Sequence, residues 1–319
     1  MIYRSFTTQW SDNNIKINYK GGGLFSVFIN IFFKNWVSNN SRTYSDEITV
    51  NFYKPNNGEL VKTLLFDYTR NIENGKVVTY FYNLKLFRAT IRSIYKFFFK
   101  NSNVVGIPEL YMAIIRSAII EPIEFLKHQA GWELTHANVF VYNDKTYVIV
   151  AGSKAGKSTL ITNLNEKHYI NVLSDNYCFI KDNKVITIEE PFRSGKVSRY
   201  HLSFYKRRIN GYPKVFEANI DFILVMKRQS QNYISKLTFK ELLCEISAIN
   251  YKEKEGIRFV SDNDPIKIDN KKFLINNSNY QTFELGLAEG LKNIDKVVNI
   301  IIQLDETNKR FLTSTKNKH

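Results

Sequence analysis

The segment 148–160, with the sequence VIVAGSKAGKSTL, constrains the fold of this chain more than any other. Three apolar β-branched residues lead directly into a glycine-containing loop, and Gly156-Lys157-Ser158-Thr159 then opens a run that fits a helix. A strand–loop–helix of this kind curls backbone N–H groups around phosphate oxygens, supplies a lysine for the outer phosphates and offers a hydroxyl to Mg²⁺. The helix N-terminus adds partial positive charge at the same place.

The loop predicts a nucleotide site built from consecutive residues. The expected phosphate-binding residues are Gly152, Ser153, Lys154, Ala155, Gly156, Lys157, Ser158 and Thr159, with Ser158 also holding the metal. The strict pattern is not met, because Ala151 stands at the first glycine position and the glycine beside it is Gly152. The alternative is a helix cap, in which the turn and Ser158 only satisfy backbone donors.

The residues around the loop alternate between strand and helix patterns. Two strands joined at Asn143-Asp144 are predicted by ANVFVYNDKTYVIVA, and a helix by KSTLITNLNEK. The run YINVLSDNYCFI predicts the next strand, and DNKVITI a return strand after a turn at Asp182-Asn183.

Two further polar residues are predicted to approach the loop. Asp175, in VLSDNY, ends the apolar strand and lies eighteen positions beyond Lys157. A carboxylate beside the loop can hold Mg²⁺ or accept the proton of an attacking hydroxyl, although a strand-end turn residue is the alternative. His136, in LTHANVFVY, is expected just before the first strand of this region, where a lone histidine is, on general grounds, more often structural than catalytic.

Together these residues give positions 107–230 a resemblance to the catalytic domain of HPr kinase/phosphorylase and of HPr-kinase-like proteins, some of which modify ribosomal peptides. That family shows a histidine, a strand pair, a GxSGxGKS loop, a helix, and a strand ending in paired aspartates. The matching positions here are His136, Ser153, Gly156, Lys157, Ser158 and Asp175. The resemblance implies an α/β fold similar to that of phosphoenolpyruvate carboxykinase, with a P-loop on a mixed, strongly bent sheet, and an active-site role for His136.

The chain departs from the family pattern at three positions. Ala151 and Lys154 replace the first and central glycines, and Asn176 stands where the second aspartate belongs. An asparagine carbonyl can ligate a metal but cannot act as a base, so Asp175 would carry the acid–base role alone. The family's long glycine-rich signature segment has no counterpart, so the resemblance does not extend to the phosphorylase half-reaction or to HPr as the substrate.

A basic segment, IEEPFRSGKVSRYHLSFYKRR, follows the return strand. Glu190 is a candidate second metal ligand. Arg193, Lys196 or Arg199 would neutralise transition-state charge or hold an acidic substrate. The alternative for each of these residues is a solvated basic loop.

The first part of the chain predicts a separate β-rich domain. Up to about residue 105, short aromatic and β-branched runs alternate with turn residues at Pro55-Asn56-Asn57-Gly58 and Glu73-Asn74-Gly75. The segment IPELYMAIIRSAIIEPIEFLKHQAG then places its apolar residues on one helical stripe, which Pro122 is expected to kink or split. We therefore expect a β-rich domain with its connecting helix at 1–129 and an HPr-kinase-like nucleotide-binding domain at 130–319.

Composition bears on partners and compartment. The net charge of +15 suits an anionic partner, but the lysines are scattered among asparagine, isoleucine and tyrosine, so we do not expect nucleic acid. The start of the chain lacks a secretory signal pattern. The most lipid-like run, 24–33, has 10 residues, whereas a membrane-spanning helix needs about 20. Cys178 and Cys244 match neither a disulfide framework nor a metal spacing, so we expect buried, reduced thiols in a cytoplasmic protein.

The sequence thus predicts a kinase that uses ATP and Mg²⁺ to phosphorylate a hydroxyl of a peptide or small protein. The expected catalytic residues are Asp175, His136, Lys157 and Arg193, and the expected metal ligands are Ser158, Asp175 and Glu190. Two alternatives stay open: a nucleotide-binding regulatory protein with little turnover, which Asn176 favours, and a basic nucleic-acid-associated NTPase, which only the charge favours. The acceptor, the nucleotide preference, the role of the first domain and a homo-oligomeric state are left open.

Overall fold

The computed structural model describes residues 3–7, 14–20, 46–88, 91, 110, 113–152, 155–168, 170–174, 177–187, 217–257, 264–266, 280–288 and 296–304. Within these ranges the chain forms two mixed β-sheets and a small number of helices. The predicted mixed α/β class is confirmed at this level.

The first sheet has six strands in the order β1-β2-β3-β6-β5-β4. Their bounds are β1 Tyr3–Thr7, β2 Ile15–Lys20, β3 Asp46–Asn51, β4 Val61–Lys62, β5 Asp67–Glu73 and β6 Lys76–Tyr82. β2, β3 and β6 run parallel, and the outer pairs are antiparallel. Asn74 and Gly75 join β5 to β6 with φ angles of 50° and 77°, the left-handed values that a two-residue hairpin needs. The predicted β-rich region and this turn are therefore confirmed.

The connecting helix contacts both sheets. A π-helical turn, Arg116–Ile120, leads directly into α1, Glu121–Gln129, which lies against β3 and against the second sheet. Pro122 lies in the first turn of α1, where a missing N–H costs little. The chain therefore stays helical through this proline, and the irregularity that we expected at Pro122 falls on the turn before it.

One apolar core joins these parts, and we call it the linker core. It includes residues from the first sheet, from the connecting helix and from the second sheet, among them Ile17, Phe66, Phe81, Ile119, Ile123, Leu134 and Phe179. The predicted domain boundary between residues 129 and 130 thus coincides with the end of α1. The linker core, however, contains residues from both sides of this boundary. The division into two domains stays a prediction.

A buried ionic network reinforces the linker core. Arg70 of β5 is fully buried and donates to Asp264 at 2.5 Å, and Asp264 also accepts from the Tyr68 hydroxyl at 2.6 Å. On its other side Arg70 donates to the carbonyl of Ser117 at 2.5 Å and lies 3.5 Å from Glu121. The network therefore ties the first sheet to the π-helical turn and to the segment 264–266.

The second sheet has nine strands, with β9 pairing on β7 beside the main order β12-β11-β10-β7-β8-β13-β15-β14. Their bounds are β7 Glu133–Tyr142, β8 Lys145–Val150, β9 Asn171–Ser174, β10 Tyr177–Lys181, β11 Lys184–Thr187, β12 Glu217–Asn219, β13 Phe222–Gln229, β14 Tyr233–Lys236 and β15 Gln281–Ala288. The central strands β8, β13 and β15 run parallel.

The predicted turns at Asn143-Asp144 and Asp182-Asn183 are confirmed, because each connects two antiparallel neighbouring strands. Two expectations need correction. The run YINVLSDNYCFI forms two strands, β9 and β10, rather than one. β7 begins at Glu133, so His136 lies inside a strand and not before it, because pairing with β10 extends β7 beyond the end of β8.

Helices cover both faces of the second sheet. α2, Lys157–His168, and α4, residues 296–304, pack on one face, and α3, Phe239–Ile257, packs on the other. What we call the α2 core includes Ile149, Leu160, Leu164, Leu224, Leu285 and Val298. The α3 core on the opposite face includes Val148, Val225, Ile180, Leu242 and Ile246.

The two cysteines differ in exposure, which corrects the expectation that both are buried. Cys178 of β10 lies in the α3 core, and burial raises the pKa of its thiol. Cys244 is exposed, because it lies on α3 between the core-facing residues Leu242 and Ile246. Among the described helices, none is both long enough and apolar enough to cross a bilayer. The run 24–33 lies outside the described residues.

The ionic network generates a prediction about stability. Asp264→Ala leaves the buried Arg70 guanidinium without its closest carboxylate, so we expect the free energy of unfolding to fall by about 3–5 kcal/mol. The control is Lys76→Ala, which removes a half-exposed ammonium 3.0 Å from Glu47 and should cost about 1 kcal/mol or less. Denaturant unfolding followed by circular dichroism measures both. Equal effects in the two variants would contradict the role given to the network.

Candidate functional site

The candidate site begins where β8 leaves the sheet. Val150 ends β8, and α2 begins at Lys157. Between them, the Ala155 N–H donates to the Gly152 carbonyl at 3.2 Å, and Gly156 has a φ of 105°, a value that a residue with a side chain rarely adopts. The chain therefore turns sharply just before the first turn of α2.

Lys157 folds back over this loop. Its Nζ donates to the Ala151 carbonyl at 2.5 Å and to the Gly152 carbonyl at 3.4 Å, and the residue is only 7% exposed. A cation at a helix N-terminus opposes the helix dipole, so the two carbonyls compensate for an unfavourable position. A buried ammonium beside the N–H groups of a first helical turn is an arrangement that suits an anion.

Ala151 stands at the first glycine position of the motif. The residue is fully buried, and its methyl group packs into the α2 core. Its carbonyl remains the acceptor for Lys157, and a backbone carbonyl does not depend on the side chain. The replacement of glycine by alanine therefore leaves the lysine contact in place.

β7 pairs on both of its edges with strands that lead to candidate residues. On one edge, Ala137 pairs with Val150 at the end of β8. On the other edge, Val139 pairs with Ser174 and His136 with Tyr177, the residues that flank Asp175 and Asn176. Neighbouring strands lie about 4.8 Å apart, so the end of β8 and the start of β10 are separated by two such spacings, about 10 Å.

The backbone of β7 at His136 is held by α3. β8 has ended at this level, and the side chain of Asn250 takes its place: Oδ1 accepts from the His136 N–H at 3.3 Å, and Nδ2 donates to the Leu134 carbonyl at 3.5 Å. Asn250 is 5% exposed. One amide side chain thus substitutes for a strand and fixes the position of His136.

His136 lies in a polar strip between two apolar cores. Side chains of a strand alternate between faces, so Leu134, His136, Asn138 and Phe140 share one face of β7. Leu134 belongs to the linker core and Phe140 to the α2 core, while the two polar residues lie between them. The strip is on the face of the sheet that α2 covers, and it leads to the loop between β8 and Lys157.

Arg116 and Tyr177 extend this strip, and sequence reasoning missed both. The rings of His136 and Tyr177 are 5.6 Å apart. Arg116 donates to the Tyr177 hydroxyl, and its guanidinium lies 5.1 Å from the ring centroid. Burial lowers the pKa of Arg116, but Tyr177 and the carboxylates of Glu121 and Glu124 outweigh it and hold that pKa above its ordinary value. In the sequence Arg116 is only a polar residue off the apolar stripe of a predicted helix.

A second lysine near this edge is neutralised by carboxylates. Lys227 lies two residues after Val225, which pairs with Val150 at the end of β8. Its Nζ donates to Glu245 at 2.7 Å and to Glu284 at 2.8 Å. Burial alone would raise the pKa of Glu284, but the hydrogen bonds from Lys227 and Tyr233 hold it below its usual range. Lys227 is thus committed to two carboxylates, in contrast to Lys157, which contacts loop carbonyls.

Several predicted site residues lie outside the described part of the chain: Ser153, Lys154, Asp175, Asn176, Glu190 and Arg193. Ser158 belongs to the first turn of α2, and Thr159 is exposed, with its carbonyl accepting from Asn163 at 2.8 Å. Within the described ranges, no group of three or more histidine, cysteine, aspartate or glutamate side chains is arranged to hold a metal. The metal ligands therefore stay a prediction.

Comparisons with known proteins find only distant similarity. No family model matches the sequence, and no curated protein matches it. Among solved structures, the HPr(Ser) kinase/phosphatase from Coxiella burnetii is similar over 59% of this chain and 99% of that chain, with 8% identity and a TM-score of 0.34. The likeness is one of distant fold similarity.

Proposed function

We propose that the chain is a phosphotransferase that uses ATP and Mg²⁺ to phosphorylate a hydroxyl of a peptide or small protein. One observation carries the proposal: the buried ammonium of Lys157, at the N-terminus of α2, lies against the Ala151 and Gly152 carbonyls of the loop that leaves β8. This is the position from which a lysine reaches the outer phosphates of a bound nucleotide.

Binding would exchange the partners of Lys157. Its ammonium would leave one or both loop carbonyls for phosphate oxygens, and an ion–ion hydrogen bond is stronger than an ion–dipole one. The backbone N–H groups of the 151–157 loop and the first turn of α2 would surround the phosphates, with Ser153, Lys154 and Ser158 adding side-chain contacts. The charge of Lys157 is already largely desolvated, so binding would add little further desolvation cost for this cation.

The transfer step would rest on positioning and charge neutralisation. In the proposed mechanism Ser158, Asp175 and Glu190 would hold Mg²⁺, which would neutralise phosphate charge. Asp175 would accept the proton of the attacking hydroxyl while its oxygen bonds to the γ-phosphorus, the bond to the bridging oxygen breaks and ADP leaves. His136 would orient the acceptor from the polar strip, and Arg193 would neutralise developing charge. Ser174 of β9 and Tyr177 of β10 support this arrangement, because both residues pair with β7 and they flank Asp175 in the sequence. Each lies about two strand spacings from the end of β8.

A second function has one observation in its favour. Asn176 occupies the position of a paired aspartate, and an amide cannot accept the proton. A nucleotide-binding regulatory protein with little turnover would keep Lys157 and the loop and would not need the second carboxylate. Phosphate transfer separates the two functions.

The nucleotide site is tested by Lys157→Ala. The variant removes one charged contact to phosphate, worth about 1.5–3 kcal/mol, so we expect the Kd for MgATP to rise about 10–100-fold. Lys167→Ala is the matched control, because this exposed lysine lies at the other end of α2, and it should leave the affinity unchanged. Isothermal titration calorimetry gives both values. Equal affinities for Lys157→Ala and the wild type would remove the loop from the proposed site.

The transfer step is tested by Asp175→Asn. Loss of a general base costs about 10²–10⁴ in rate, so phosphate transfer from labelled ATP to hydroxyl-bearing peptides should fall by that factor, while nucleotide binding survives in part. Asn176→Asp should keep or raise the rate, since it restores the paired acid. If the wild type and Asp175→Asn transfer phosphate at the same rate, Asp175 is not the base. A wild type that binds ATP and transfers nothing supports the regulatory function.

A further inference from the structure

We infer that Arg116 contacts the phosphoryl group during transfer and supplies the positive charge on the acceptor side of the site. The inference rests on the proposed phosphotransferase function and adds a residue that the sequence motif does not contain. From the sequence we predicted that Arg193 or its basic neighbours, which follow the loop, neutralise the charge of the transition state. Arg116 precedes the loop by 36 positions, counted from Gly152, and reaches the site through the fold.

An irregular helical turn presents the guanidinium. Arg116 is the first residue of the π-helical turn, and its carbonyl accepts from the Glu121 N–H, five residues later. Single π-helical turns inside helices are frequent at functional sites, because they aim one side chain out of the regular helical pattern. The next residue, Ser117, contacts Arg70 of the first sheet, while Arg116 contacts Tyr177 of the second. The turn is therefore held from both sides.

The location of Arg116 suits the acceptor side of a transfer site. Tyr177 is paired with His136 and begins β10 directly after Asp175 and Asn176. The end of β8 lies two strand spacings away, about 10 Å, across β7. Lys157 therefore serves the nucleotide end of the polar strip and Arg116 the opposite end. A phosphoryl group leaving the nucleotide toward an acceptor would pass between these two cations.

The hydrogen bonding of Arg116 leaves capacity for an anion. One terminal nitrogen donates to the Tyr177 hydroxyl. The Nε is shielded from solvent and has no hydrogen-bond acceptor among the described residues. A guanidinium offers five N–H donors in a planar fork that matches two oxygens of a phosphoryl group. Glu121 and Glu124 lie close enough to stabilise the charged form, and Glu121 is shared with Arg70.

The test compares binding of MgADP alone with binding of MgADP plus aluminium fluoride, a mimic of the planar phosphoryl group. Arg116→Ala should bind MgADP within about twofold of the wild type, because Lys157 and the loop are intact. Adding aluminium fluoride should raise its affinity by a factor about 10² smaller than in the wild type, which is the usual effect of removing one donor to a developing oxyanion. Arg116→Lys should recover only part, because it restores the charge without the fork. Arg88→Ala, an exposed arginine on the first-sheet side, is the matched control and should behave as the wild type.

Two further measurements separate contact from a purely structural role. Guanidinium ion at low millimolar concentration should restore part of the lost gain in Arg116→Ala, and a structural defect would not respond to it. Tyr177→Phe keeps the ring and removes the hydroxyl that orients the guanidinium. It should reduce the gain less than Arg116→Ala does, and it tests the inference if Arg116→Ala fails to fold.

The outcomes distinguish this inference from the proposed function. If Arg116→Ala keeps the full gain in affinity with aluminium fluoride, the role of Arg116 is wrong and the phosphotransferase proposal stands. Where Arg116→Ala does not fold, the same conclusion follows if Tyr177→Phe and Arg116→Lys both keep the full gain. If the wild type binds no MgADP, or gains nothing from aluminium fluoride, the proposed function fails and the role of Arg116 fails with it.

Discussion

The pairing of β7 on both of its edges is the constraint on which the rest of the structure depends. One edge holds β8, which ends in the loop with Lys157, and the other holds β9 and β10, which flank Asp175 and Asn176. Because β7 runs four residues beyond the last pair with β8, its backbone at His136 needs other partners, and α3 supplies them through Asn250. A strand that is longer than its neighbour thus creates an edge where a loop, a histidine and a buried amide meet.

Apolar packing decides which part of that edge stays polar. The linker core and the α2 core cover the same face of the second sheet from two directions, and the polar residues His136 and Asn138 lie on β7 between them. The π-helical turn closes the far side and is tied to the first sheet through Arg70. The first sheet therefore affects the candidate site through packing and hydrogen bonds, even though it contributes no residue to the loop.

Local signals predicted the local structure well. The turns at Asn74-Gly75 and Asn143-Asp144 and the strand–loop–helix around Lys157 depend on neighbours in sequence, and the structure has them as expected. The start of β7 was misplaced because its first residues owe their strand character to pairing with β10, some 40 positions later. Two contacts of the structure form only through tertiary folding, and no pattern in the sequence predicts them. They join Arg70 to Asp264, 194 positions apart, and Arg116 to Tyr177, 61 positions apart. The exposure of Cys244 depends on which side of α3 faces the sheet, and spacing to the other cysteine says nothing about it.

In the proposed function, backbone N–H groups of the loop after β8 and of the first turn of α2 bind the phosphates of a nucleotide. Hydrogen exchange of the backbone amides, measured by mass spectrometry with and without a non-hydrolysable MgATP analogue, addresses it directly. We expect the analogue to slow exchange in peptides covering 152–160 and, to a smaller degree, in those covering 174–178, and to leave exchange in the first sheet unchanged. Exchange that is unaltered at 152–160 while slowing elsewhere would contradict it.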